Sequence, residues 1–359
     1  MKMTEIAIVG GGPAGLSAAV SAAASGARVT LIERDDHLGG QLKKQTHMFF
    51  GSKKQYASTR GVDIADILQE QLAKYKDRVE IMTDATVIGI YEDGILTIEQ
   101  NNKYIKMQPQ RIVVATGASE KFLTFPNNDM PGIYGAGAVQ TLMNVYGVKP
   151  GNNVLMVGAG NIGLIVSYQL MQAGVTVKAI IDAAPRIGGY LVHASKIRRM
   201  GIPILTSHTV KYAHGKDSLE KVTICKLDEK FQPIPGTEQD IEADVMCISV
   251  GLSPLAELLW QIGCKMTFVP ELGGHVPLRN GEMETSLKGI YIAGDVAGIE
   301  EASSAMVEGR LAGLCAAKGL GYEAENYEDL RKDCLEQLNS LRSGPVGEKI
   351  LKGLSKVTA

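Results

Sequence analysis

Ile6-Ala7-Ile8-Val9-Gly10-Gly11-Gly12-Pro13-Ala14-Gly15 is an apolar run that ends in a glycine-rich turn and opens a helix-like segment. The pattern returns in mid-chain as Val154-Leu155-Met156-Val157-Gly158-Ala159-Gly160-Asn161-Ile162-Gly163. Each copy reads as the first strand, turn and helix of a dinucleotide-binding unit. The first glycine permits the tight turn, the second lets the backbone approach a pyrophosphate, and the third lets helix pack on strand. Free amides at the helix start then face the anion. Two such loops in 359 residues predict an α/β chain with two Rossmann-like dinucleotide-binding domains.

One loop alone would suit a glycine turn in a nucleotide-free α/β domain, so the acidic residue that follows each copy matters. Ala27-Arg28-Val29-Thr30-Leu31-Ile32-Glu33 ends on Glu33, about 20 residues past the first loop, where a carboxylate accepts both hydroxyls of an adenosine ribose. Val175 to Asp182 repeats the arrangement after the second loop. Asp182 would repel a 2′-phosphate, which favours NAD(H) over NADP(H) in the second domain.

Three further segments point to a flavin at the first loop: Gly39-Gly40-Gln41, then Ala115-Thr116-Gly117-Ala118 after the strand-like run Arg111 to Val114, and Gly289-Ile290-Tyr291-Ile292-Ala293-Gly294-Asp295. Together with the glycine loops they resemble the two-dinucleotide-domain flavoproteins, which include thioredoxin reductase and glutathione reductase. The resemblance implies FAD at the first site, with Asp295 on its ribityl chain. It also implies that a helix from Ala302 to Ala317 aims its positive end at the flavin pyrimidine ring, where negative charge develops on reduction. The expected FAD contacts are Gly10, Gly12, Pro13, Ala14, Gly15, Glu33, Gly40, Gln41, Val87, Ala115, Thr116, Gly117, Gly294 and Asp295. Those for a nucleotide in the second domain are Gly158, Gly160, Asn161, Ile162, Gly163 and Asp182.

Composition agrees with two domains that each have a core: 45% of residues are hydrophobic and 41 are glycine. A net charge of -2 offers no general attraction to nucleic acid or to an anionic membrane, so neither partner is expected. The run from Ile6 to Ala24 superficially mimics a signal peptide. Glu5 precedes it, however, and a Gly-Gly-Gly-Pro turn interrupts it, so a cytoplasmic protein is expected.

The five cysteines, Cys225, Cys247, Cys264, Cys315 and Cys334, include no C-x-x-C. Thioredoxin and glutathione reductases pass electrons through a close cysteine pair beside the flavin, and this chain has no such pair. Where thioredoxin reductase places its pair, the sequence reads Val139 to Val145. An iron-sulfur cluster held by clustered cysteines is excluded on the same ground, and no His spacing suggests a metal site.

Motif order predicts a discontinuous FAD domain, residues 1 to about 120 plus about 270 to 322, because the Gly294-Asp295 strand must return to the sheet that starts at Ile6. The second nucleotide domain is expected as an insert from about 121 to 269. A helical tail follows over 323–359, with Leu330, Cys334, Leu338 and Leu341 at helical spacing.

In flavoprotein reductases that resemble this chain through the second loop, a glutamate two residues past the last glycine helps place the nicotinamide; here it is Ile165. The second domain therefore has three open readings: productive NAD(H) binding, structural ATP or ADP binding, or none. Gly273 to Arg279, Met283-Glu284-Thr285-Ser286, Gly289 to Asp295 and Glu308 to Gly313 further resemble the FAD subunits of opine oxidase, hydrogen cyanide synthase, hydroxyproline dehydrogenase and sarcosine oxidase. That likeness implies a small amine or amino-acid substrate. It also implies two partners, a small iron-sulfur protein and a second flavoprotein subunit.

Gln41 to Arg60 follows the expected flavin contact directly. Lys43, Lys44, Lys53 and Lys54 would suit an anionic flavin or an acidic substrate, and His47 a proton transfer, with Lys43 and His47 the catalytic candidates. The alternative is a solvated loop anchored by Phe49 and Phe50. The expected function is an FAD-dependent oxidoreductase, the electron-relaying flavin subunit of a hetero-oligomeric amine or amino-acid dehydrogenase. The alternatives are a stand-alone NADH-dependent flavin reductase and a non-catalytic nucleotide-binding scaffold subunit.

Overall fold

Strand Lys2–Val9 buries Ile6, Ala7, Ile8 and Val9 without alternation, as a strand covered on both faces must. The computed structural model describes residues 1–50 and 52–358 and divides into two compact units, 1–119 with 252–359, and 120–251. In the first unit, Lys2–Val9 pairs in parallel with Val29–Ile32 on one side and with Lys103–Val114 on the other. Val79–Met82 continues the parallel sheet beyond Val29–Ile32, and Ile290–Ile292 continues it beyond Val114. The strand order thus reverses at Lys2–Val9, and the crevice outside the carboxyl ends of neighbouring strands is where such sheets bind ligands. The first half of Lys103–Val114 instead pairs antiparallel with Leu96–Gln100, which pairs with Ala85–Ile90.

Helix Pro13–Ala24 is built from small residues, and this lets helix Ala302–Lys318 lie against it at backbone distance. A Cβ on Gly309 would lie 2.1 Å from the Ala14 carbonyl oxygen, and one on Gly313 2.2 Å from that of Ala18. Both positions therefore exclude every residue but glycine.

The second unit repeats the plan in a five-stranded sheet. Asn153–Val157 is flanked by Thr176–Asp182 and Ile204–Thr206 on one side and by Val245–Ile248 and Ile133–Gly135 on the other. All of these pairings are parallel. Helix Asn161–Gln172 follows the loop.

The chain returns to the first unit at Leu252, earlier than the expected boundary near 270. Helix Glu257–Gln261 buries Leu258 and Leu259 in the first unit's core, and the Leu255 N–H donates to the Gly117 carbonyl at 3.0 Å. The tail also belongs to that unit. Helix Tyr327–Leu341 buries Cys334 and Leu338 in the same core, and a second helix, Gly344–Leu354, follows. This second helix lies within the span 323–359 expected as a helical tail, beyond the helical spacing that ends at Leu341.

Candidate cofactor site

Backbone geometry at the two glycine loops separates what the fold requires from what a ligand requires. Gly10 has a φ of +107° and Gly158 one of +113°; a Cβ would lie 2.4 Å from the Ala115 carbonyl oxygen in the first case and 2.1 Å from that of Ser249 in the second. A Cβ on Gly15 or Gly163 would lie 1.8 or 2.0 Å from the carbonyl oxygen of Gly10 or Gly158. The folded chain itself demands glycine at these four positions. Gly12 and Gly160 differ, since their φ values of -74° and -75° suit any residue. A Cβ on Gly12 would find nothing nearer than the Gly40 Cα at 4.0 Å, and one on Gly160 nothing within 4 Å. The protein's own packing makes no demand for glycine there, whereas a pyrophosphate lying on the helix N-terminus does.

The two acidic residues match bond for bond. One Glu33 carboxylate oxygen accepts from the Gly11 N–H at 2.6 Å and the other from the Asp35 N–H at 3.0 Å. Asp182 accepts from the Ala159 N–H at 2.6 Å and from the Ala184 N–H at 2.8 Å. Each carboxylate is thus held between the middle of its glycine loop and the residue two places beyond itself. Pro13 supplies no N–H at the first helical position, which leaves the amides from Ala14 onward to face an anion. In the second loop Asn161 Oδ1 accepts from the Tyr190 N–H at 2.8 Å, and the Ile162 side chain is exposed.

Around the first loop, hydrogen bonds gather the other expected contacts. Gly39 N–H donates to the Gly11 carbonyl at 2.9 Å, and the 3-10 turn Gly40–Lys44 carries Gly40 and an exposed Gln41. Ala85 N–H donates to the Glu33 carbonyl at 2.9 Å, which sets the strand of half-buried Val87 beside that residue. Ala115 N–H donates to the Val9 carbonyl at 2.8 Å, and Thr116 Oγ1 donates to the Leu255 carbonyl at 2.6 Å. Ala293 N–H donates to the Val114 carbonyl at 3.1 Å and delivers Gly294 and Asp295 to the same edge.

Asp295 is half-buried, and the loss of surrounding water pushes its carboxyl up to about 7. A hydrogen bond from the Glu300 backbone opposes this shift, while the Glu308 and Glu300 carboxylates add to it. A carboxyl that ionises near 3.8 when unfolded and near 7 when folded stabilises the fold below the first value and loses that contribution as pH rises through the second. Asp295→Asn should therefore stabilise the FAD-free protein relative to wild type by on the order of 2 kcal/mol at alkaline pH, allowing for solvent screening, and by almost nothing at acid pH. Urea unfolding across this range checks it; a difference that does not vary with pH would contradict it.

The candidates in Gln41 to Arg60 are more dispersed in their bonding. Lys43 Nζ lies 3.3 Å from Asp66 Oδ1, and Lys54 Nζ lies 2.6 Å from Asp333 Oδ1. The His47 ring stacks on Phe49 with centroids 6.0 Å apart. Phe49 is buried and anchors the segment in the core, whereas Phe50 is 58% exposed. Gly51, within this stretch, lies outside the described residues.

All five cysteines are buried free thiols. Burial pushes each one up, Cys315 to about 11. A thiol held protonated is neither a nucleophile nor a relay. Among the described residues no cluster of His, Cys, Asp and Glu could hold a metal, and no helix is long and apolar enough to cross a membrane.

The motifs did not reveal a buried ion network beneath Gly294, made of Glu300, Glu308, Arg279 and Arg342. Arg342 Nη2 lies 2.7 Å from Glu300 Oε1 and 2.6 Å from Glu308 Oε1, and Arg279 Nη2 lies 3.5 Å from Glu308 Oε1. Glu308 Oε2 accepts from the Gly294 N–H at 2.9 Å. Arg279 and Glu308, two charged residues inside family-like stretches, are its only trace in the sequence.

Known proteins carry the same plan. An opine oxidase subunit of Agrobacterium tumefaciens is 27% identical over 88% of this chain and 66% of its own length. The HcnB subunit of hydrogen cyanide synthase from Pseudomonas protegens is 26% identical over 86% of this chain and 69% of its own. The alpha subunit of sarcosine oxidase from a Corynebacterium species is 27% identical over 89% of this chain but only 33% of its own. The chain thus spans between a third and about two thirds of these relatives' lengths. Among solved structures, thioredoxin reductase of T. acidophilum superposes with a TM-score of 0.71 at 24% identity, over 89% of this chain and 99% of its own. L-proline dehydrogenase of P. horikoshii superposes with a TM-score of 0.68 at 24% identity, over 92% of this chain and 59% of its own. These two share the fold. The duplicated loops and returning strand fall within residues 4–309, the span that matches the pyridine nucleotide-disulphide oxidoreductases, an FAD- and NAD(P)-binding family of oxidoreductases, and the chain belongs to that family.

Proposed function

We propose that this oxidoreductase holds FAD along the carboxyl edge of the first unit's sheet and relays electrons as the flavin subunit of a hetero-oligomeric amine or amino-acid dehydrogenase. The observation that carries the cofactor site is the room at Gly12, beside a Glu33 carboxylate already held by backbone amides. Bound FAD supplies two-electron redox chemistry. The chain's part is to seat the pyrophosphate on helix Pro13–Ala24, the ribose on Glu33 and the ribityl chain on Asp295. Two observations support relay over disulfide reduction: every thiol is buried and protonated, and the chain's curated relatives include components of two oxidases and a synthase. A small iron-sulfur protein and a second flavoprotein subunit complete the proposed complex. Lys43 and His47 are its proposed proton and charge donors near the ring.

For the second unit we propose NAD(H) as the nucleotide. Asp182 presents a carboxylate where NADPH would carry a phosphate, and the next arginine, Arg186, is exposed and four residues on. Ile165, buried, leaves the nicotinamide without an orienting carboxylate. Titration should show NADH binding more tightly than NADPH, and anaerobic NADH should leave the flavin band largely intact on the timescale of turnover. Tighter NADPH binding would overturn the nucleotide assignment. Rapid bleaching by NADH would favour the stand-alone reductase.

A further inference from the structure

We infer that the C-terminal arm, residues 342–358, is a clamp for the flavin site: Arg342, docked on Glu300 and Glu308, holds the Gly294 N–H and the Asp295 carboxylate in the position that receives FAD. This rests on the reading of Gly294 and Asp295 as flavin contacts. Arg342 follows helix Tyr327–Leu341 and turns its guanidinium inward, where Nε lies 3.0 Å from Glu300 Oε2 and Nη2 lies 2.7 Å from Glu300 Oε1. Nη2 also donates to Glu308 Oε1 at 2.6 Å. Both of these partners are tied at their other ends to the flavin turn. Glu308 Oε2 accepts from the Gly294 N–H at 2.9 Å, and the Glu300 backbone N–H donates to Asp295 Oδ1 at 3.3 Å.

The arm then returns to the same place. Arg279, whose Nη1 donates to the Ala297 carbonyl at 2.5 Å, gives its own backbone N–H to the Val357 carbonyl at 3.0 Å. Val357 and Leu354 are buried with Val269, Leu272 and Val276. The side chains of the quartet are only 3–10% exposed. Two guanidiniums here balance two carboxylates, and removing one cation would leave negative charge uncompensated beside Asp295. Apolar residues would hold an arm as firmly as such a network, but they would not orient the Gly294 amide and the Asp295 carboxylate.

Coupling between two sites is reciprocal, so an arm that tightens FAD binding must itself be tightened by FAD. Two measurements on the whole 359-residue chain test this. Titration of FAD-free protein with FAD, followed by flavin fluorescence, should show Arg342→Met about tenfold or more weaker than wild type. Arg342→Lys, which keeps the charge, should recover most of that loss. Hydrogen exchange of the amides in 342–358 should slow when wild type binds FAD, and this readout survives even if Arg342→Met fails to fold. FAD binding that leaves the arm's exchange unchanged, or that is unaltered in Arg342→Met, overturns the clamp. A wild-type chain that takes up no FAD overturns the site reading beneath it.

Discussion

Gly12→Ala should weaken FAD binding by about a hundredfold, on the order of 2–3 kcal/mol, while leaving the fold intact. The added methyl group enters space that the protein does not fill, since its nearest neighbour is the Gly40 Cα at 4.0 Å, and the backbone φ of -74° tolerates alanine. Its only victim is a group that must press against the bare backbone at the helix N-terminus. As an N-cap, alanine is worse than glycine by up to about 1 kcal/mol, a loss of stability that the fold should survive. Gly15→Ala supplies the contrast, because its methyl would lie 1.8 Å from the Gly10 carbonyl oxygen and both fold and flavin should be lost. Circular dichroism and flavin content of the two variants separate these outcomes. Full FAD occupancy in Gly12→Ala would show that no pyrophosphate lies at this loop.

Glu33→Ala should cost both the cofactor and part of the stability of the FAD-free protein. The side chain is 7% exposed and satisfies the Gly11 and Asp35 amides. Charge-assisted hydrogen bonds contribute about 1.5–3 kcal/mol each, and the amides left without a partner add a desolvation cost. Urea unfolding of FAD-free protein should therefore show a loss of about 2–3 kcal/mol, with FAD no longer retained through gel filtration. Glu33→Gln keeps one acceptor oxygen and should regain part of the stability. Unchanged stability and normal flavin content in the alanine variant would remove Glu33 from both roles.

Much of the architecture was legible because close backbone approach leaves a mark in sequence. Gly10, Gly15, Gly158 and Gly163 are glycines for steric reasons internal to the fold, and that is why the two loops announce two parallel sheets. The acidic residues were readable because a strand end hydrogen-bonded to a glycine loop is a fixed place in such a unit. Other features depend on partners distant in sequence. Nothing local to Arg342 indicates that it will meet Glu300 and Glu308, and Leu252 marks the return to the first unit only through contacts formed after folding. The hydrogen bond from the Ala85 N–H to the Glu33 carbonyl brings the strand that carries Val87 beside that residue, yet the local sequence there reads as ordinary strand. The ion pairs of Lys43 with Asp66 and of Lys54 with Asp333 likewise join residues distant in sequence, so the local run of lysines in Gln41 to Arg60 could not show them.

Anaerobic mixing of the purified, FAD-loaded chain with a panel of amino acids and secondary amines tests the relay role most directly. The expected result is one non-covalent FAD per chain, released by acid, whose visible band persists in the presence of every amine until its partner proteins are supplied. Bleaching by an amine at about ten per second, the ordinary pace of a complete enzyme, would contradict the relay role. A purified chain without flavin would contradict the cofactor site on which that role depends.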